Sequence, residues 1–181
     1  LIGGMLFFFF FLYLEKIFAR VETWALPALL KATLWGIVLS VLTLVTDYAL
    51  FSGEFHIVPF SKTALSYSPL FLLLIALIKT ISTHVGFAMG WRGGKIFPAI
   101  FAIVAVGAAI AQFIPIQPAI TVSLAVVASI TIILEKPLLT AILLIFLLPI
   151  SLAPLIFITA YIVMLIHKFL LKKIGLKSLI Y

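Results

Sequence analysis

The chain has no cysteine, so it can form no disulfide, no thiolate metal site and no cysteine nucleophile. Acid is scarce too: 5 of 181 residues are Asp or Glu, and Asp47 is the only aspartate. Paired intramembrane aspartates are therefore impossible. Neither His-Glu-x-x-His nor Gly-x-Ser-x-Gly occurs, which argues against a membrane-embedded hydrolase and against enzymatic function in general. Charged residues of either sign make up only 9% of the chain, where a soluble domain carries about 25%.

What is present is apolar. Hydrophobic residues account for 66%, seventeen Phe among them, and the mean hydropathy is +1.42. One core of this size cannot hide that much apolar surface, so the composition specifies an integral membrane protein. A helix needs about 20 residues to cross the roughly 30 Å hydrocarbon core. The content predicts about five to eight membrane helices of mixed length. A transmembrane barrel would alternate polar and apolar residues. Leu70 to Leu77 and Ile142 to Leu148 are apolar on every side, so an all-α protein is predicted.

The formal charge of +7 would raise the question of nucleic acid in a soluble protein. Here Lys168, Lys172, Lys173 and Lys177 follow the last hydrophobic run, the mark of a cytoplasmic flank. The expected partner is the lipid bilayer of a cell membrane, not nucleic acid. Leu1 opens directly in an apolar run, which reads as a start inside a membrane helix.

Proline and glycine divide the chain. Leu1 to Phe18 is a first helix, closed by the interfacial charges Glu15, Lys16, Arg20 and Glu22. Pro27 opens a second, to about Thr46, and Asp47 with Ser52-Gly53-Glu54 closes it. Phe55 to Ser68 is shorter and more polar, with Pro59 starting or kinking a short helix. Pro69 to about Met89, Pro98 to Ile114, Ala119 to Leu134, Leu138 to Leu148 and Leu155 to Leu171 follow. These lengths are uneven. Seventeen residues give about 25 Å of helix, and eleven cannot cross upright. Short, interrupted helices suit a transporter whose helices end near the midplane around an ion.

The stretch Gly90-Trp91-Arg92-Gly93-Gly94-Lys95-Ile96-Phe97-Pro98 sets a glycine turn before a new apolar helix. A helix start carries unpaired N–H groups and partial positive charge, so it is a candidate anion site. Gly93-Gly94-Lys95-Ile96-Phe97-Pro98 resembles the Gly-Gly-x-Phe-x-Pro segment of the ClC family of chloride channels and proton/chloride exchangers. Gly107 falls where that family has small residues on the same helix. Leu50-Phe51-Ser52-Gly53-Glu54 resembles its Gly-Ser-Gly turn, and Glu135-Lys136-Pro137-Leu138-Leu139-Thr140-Ala141 its Pro-Leu-Thr-Gly/Ala segment, in the same order and spacing.

The resemblance implies a ClC-like fold of two inverted-topology repeats with short, broken and tilted helices. Residues 1–181 would be the second, C-terminal repeat; the N-terminal repeat, with its serine and gating glutamate, would lie outside this chain. It implies a homodimer that transports chloride or a similar anion, as channel or proton-coupled exchanger, without a cofactor. It also implies an anion site made of Gly93, Gly94, Lys95, Ile96, Phe97 and Pro98, joined by a tyrosine for which the chain offers Tyr181. The fluoride-exporting branch carries Gly-Gly-Glu-Val-Thr-Pro; Lys95 and Phe97 depart from it. A nonconducting membrane scaffold is the alternative of a different class.

Bland readings stand beside these. Gly93 and Gly94 could serve only a tight turn. Lys95 could be an anion attractor or a lysine snorkelling at a vestibule edge, beside Arg92. Lys79 to His84 is a polar patch late in its helix, which places it near an aqueous surface or against the absent repeat, with His84 a weak proton-relay candidate. Gly86, Gly90 and Gly94, four apart, read as close helix packing. Glu54 with His56 is too small a set for a metal, and Glu135 with Lys136 reads as a solvated turn pair.

Overall fold

Prolines and caps place the helix boundaries in the computed structural model, which describes residues 1–50 and 52–174, the side chains of Glu22 and 171–174 excepted. Ser68 caps α4 (Pro69–Ala88): its hydroxyl accepts from the Phe71 N–H at 3.3 Å, and Pro69 takes the first position, where no N–H is needed. α5 (Ile96–Ala111) has Pro98 as its third residue, still within the turn that lacks intrahelical acceptors. Pro118 opens α6 (Pro118–Leu134) and Pro137 opens the nine-residue α7 (Pro137–Ile145). Between them Glu135 takes the left-handed conformation at φ 53°, and the following Lys136, held before proline, stays out of the helical region. Glu135 and Lys136 are both exposed, as a solvated turn pair should be.

The remaining elements are α1 (Ile2–Glu22), α2 (Ala28–Thr43), α3 (Ile57–Thr63) and α8 (Ala153–Ile174), with 3-10 turns at Asp47–Ala49, Ala64–Ser66 and Ile150–Leu152. Pro59 is the third residue of α3, so it starts that helix rather than bending it. α1 ends at Glu22, the last of its four charges and four residues beyond Phe18. Among the described residues there is no strand. α1, α4 and α8 are long and apolar enough to cross a membrane, while α2, α5 and α6 are apolar but only 16 or 17 residues long.

α5 is the centre of the packing. It lies chiefly against α6 and α4, then α1. Ala99 to Ala105 are buried continuously, on all faces of the helix. A helix apolar all round is an enclosed one. Small residues allow the close approaches. A Cβ on Gly107 would stand 3.0 Å from the Val122 Cα on α6, and one on Gly4 would stand 2.5 Å from the Ala125 carbonyl oxygen. At that second crossing the buried Ser129 hydroxyl donates to the Gly4 carbonyl at 2.7 Å. Close backbone contact with an interhelical hydrogen bond is how helices associate where apolar attraction gives no net drive.

Candidate anion site at the start of α5

The glycine turn is built by the end of α4. Gly90, at φ 97°, reverses the chain; its N–H bonds the Phe87 carbonyl at 3.0 Å and the Trp91 N–H bonds the Gly86 carbonyl at 2.8 Å. Those two bonds are the 5→2 and 6→1 pair of a Schellman motif, and they use two of the carbonyls a helix end leaves open. Gly86 is bare beneath the Trp35 and Trp91 indoles, whose nearest atoms lie 3.1–3.3 Å from where a Cβ would be. The glycines four apart therefore have three uses. Gly86 packs, Gly90 turns, and Gly94 does neither, since a Cβ there would meet nothing within 4 Å. Close packing as a common role for the three is thereby corrected.

Arg92, Gly93 and Gly94 are exposed, and Lys95 is the N-cap. No side chain caps α5. Ile96 and Phe97, its first two residues, have no intrahelical acceptor for their N–H groups. Pro98 follows without an N–H and is buried. Neither Gly93 nor Gly94 has a positive φ, so neither is required by backbone geometry, and the tight-turn explanation belongs to Gly90 instead. A cavity of about 180 Å³ lies beside the turn, lined by Trp35, Leu39, Ala49, Ser82, Thr83 and Trp91.

Lys95 does not stand alone. Its ammonium forms an ion pair with Glu15 of α1 and lies 5.2 Å from the Phe87 ring centre on α4. The two charged side chains are 40% and 38% exposed, so the pair sits at a margin rather than in the core. One turn earlier on the same two helices, Phe11 and His84 meet edge-to-face at 4.3 Å. His84 is 3% exposed, and its Nε2 has no hydrogen-bond partner among the described residues. No sequence signal links Glu15 to Lys95, which are 80 positions apart.

The polar patch on α4 is buried, which corrects its placement near water. Lys79 is 0% exposed. Its Nζ donates to the carbonyls of Tyr48 at 3.0 Å and Leu50 at 2.8 Å, and lies 5.4 Å from the Phe101 ring centre on α5. The lysine serves the carbonyls of Tyr48 within the Asp47–Ala49 turn and of Leu50 just after it. Ser82 and Thr83 donate their hydroxyls to the Lys79 carbonyl, at 3.0 and 2.7 Å. A charge in an apolar helix was the available signal for this cluster. Tyr181 lies outside the described residues, as does Lys177 of the basic tail. Glu54 and His56 gain no third ligand: among the described residues no group of three His, Cys, Asp or Glu could hold a metal.

The model of the voltage-gated chloride channel family matches residues 1–168. The chain belongs to that family. It is accordingly an all-α, ClC-like, multi-pass membrane protein of a channel and transporter family. The "Putative ion-transport protein YfeO" of Escherichia coli O1:K1 is 46% identical over 67 residues, 36% of this chain and 16% of the relative. The proteins of that name from Escherichia coli K12 and Shigella boydii serotype 18 match to the same extent. The match thus spans about a sixth of the length of these relatives. No solved structure matches.

Proposed function

We propose that residues 1–181 form the C-terminal repeat of a ClC-type pathway that carries chloride or a similar small anion across a cell membrane. The observation that carries this reading is the glycine pair at 93 and 94. Neither φ nor packing asks for glycine at 94, yet glycine stands there, one residue before an uncapped helix start. What glycine offers in addition is bare backbone, which a ligand can approach closely. The N–H groups of Ile96 and Phe97, at the positive end of α5, are the donors, with that of Lys95 beside them. Pro98 fixes φ at the third position and so holds the first turn in helical form.

The family to which the chain belongs and the ion-transport name of its relatives support transport over catalysis. α5, at 16 residues, is about 24 Å long, short of the roughly 30 Å core, which suits a helix that starts at depth. Completion of the pathway requires an N-terminal repeat, and the working unit is a homodimer with its C-terminus in the cytoplasm. Channel and exchanger differ in whether protons move with the anion.

The test is chloride efflux from vesicles holding the native protein, with simultaneous pH recording, beside Gly94→Leu. A Cβ at 94 would meet nothing within 4 Å, so the variant is expected to fold; its side chain should hinder approach to the backbone donors and lower flux at least about tenfold, equivalent to 1.4 kcal/mol. Unchanged flux from a folded Gly94→Leu protein removes the site from the start of α5.

A further inference from the structure

We propose that Glu15 sets the charge of the anion site, cancelling the Lys95 ammonium so that the anion meets main-chain N–H groups on a neutral cap; this rests on the anion-site reading above. The pair joins α1 to the N-cap of α5 across 80 residues of sequence. Lys95 is held from a second side, because its Nζ lies over the Phe87 ring. Both anchors hang on one frame. Phe11 and Glu15 are one turn apart on α1, and His84 and Phe87 are about one turn apart on α4, so the Phe11–His84 ring contact fixes the helices at the spacing the pair needs.

Charge arithmetic gives the consequence. A helix start carries about half an elementary charge, spread over several N–H groups. An uncompensated ammonium on the capping residue adds a whole one beside it. Removal of the Glu15 carboxylate would therefore more than double the positive charge that an anion meets, with the backbone donors untouched. On this reading Glu15 sets the affinity without contacting the anion. It keeps the affinity low enough for an ion to leave, as conduction requires.

The experiment is calorimetric titration of chloride into the native protein in detergent, as wild type, Glu15→Gln, Lys95→Met, Glu15→Gln with Lys95→Met, and Glu15→Lys with Lys95→Glu. Glu15→Gln should bind chloride about fivefold to tenfold tighter. Adding Lys95→Met should remove that gain, which loss of a mere brace between α1 and α5 would not produce. The reversed pair keeps both the brace and the cancellation; it should retain its melting temperature and bind chloride within about twofold of wild type. If Glu15→Gln does not fold, the single change Lys95→Met decides: it leaves the Glu15 carboxylate uncancelled and should bind chloride at least about tenfold more weakly. Unchanged chloride affinity in Glu15→Gln or in Lys95→Met, with only the melting temperature moved, overturns the proposal. Absence of chloride binding in the wild type overturns the anion-site reading itself.

Discussion

Lys79→Met tests the least expected part of the structure. The methionine fills much of the same volume but carries no donor. Two carbonyls, those of Tyr48 and Leu50, lose the ammonium bonds at 3.0 and 2.8 Å. A buried acceptor left without a partner costs about 1–3 kcal/mol, so the two together cost about 2–6 kcal/mol. The attraction to the Phe101 ring, at 5.4 Å, is lost as well and adds about 1 kcal/mol. Against this, the folded state no longer has to hold a desolvated ammonium, a saving of several kcal/mol in the general case. That saving is reduced here, because the ammonium already has two carbonyl bonds and a ring contact in the folded state, so it offsets the lost interactions only in part. A net loss of about 2–4 kcal/mol is expected. The assay is thermal unfolding of the detergent-extracted protein, followed by tryptophan emission, since Trp35 and Trp91 both line the cavity beside Ser82 and Thr83. Limited proteolysis around the Asp47–Ala49 turn should quicken in parallel, because that turn and Leu50 are what the lysine holds. A Lys79→Met protein with an unchanged melting temperature and cleavage pattern would refute the account of Lys79 as the clamp of this segment.

Two smaller changes probe the backbone. Glu135→Gly should stabilise by about 1 kcal/mol, since Glu135 occupies the left-handed region at φ 53° and its side chain is exposed; a lower melting temperature would mean that the carboxylate does more than the turn requires. Gly4→Ala should destabilise by about 2–3 kcal/mol by wedging α1 from α6, where the added Cβ would meet the Ala125 carbonyl oxygen at 2.5 Å and strain the Ser129–Gly4 hydrogen bond; wild-type stability would mean that the crossing can open at no cost.

Local chemistry made most helix boundaries legible. Pro69, Pro118 and Pro137 stand at first helical positions, and Pro98 stands third, because a missing N–H costs nothing there. The shortness of α7 and the interruption after Asp47 followed from the same reading. Its failures share one cause: they depend on what a side chain meets across the fold. The pairing of Glu15 with Lys95 could not be seen because the sequence neighbours of α1 are its own residues, not the cap of α5. Lys79 to His84 looked near water because a late position in a helix suggests its end; a backbone acceptor thirty residues away made burial possible instead. The three glycines at intervals of four fit one packing stripe on a helical wheel, but the helix ends at Ala88, and only Gly86 remains on it. At the proposed site, the helix start of α5 could be located from proline and glycine, whereas the carboxylate that pairs with Lys95 could not.

The enclosure of α5 also bears on how the protein is made. At 16 residues this helix is too short to rest upright in a bilayer by itself, and its uncapped start would strand N–H groups among acyl chains. The Schellman turn ties it to α4 before it, and Gly107 seats it on α6 after it. During synthesis α4 can leave the insertion machinery as an independent span, whereas α5 reaches stable surroundings only once Pro118–Leu134 has emerged and can close over it. The unit that gains stable surroundings across this part of the chain is therefore the α4–α5–α6 triplet, and a chain cut between residues 111 and 118 would leave α5 without its cover.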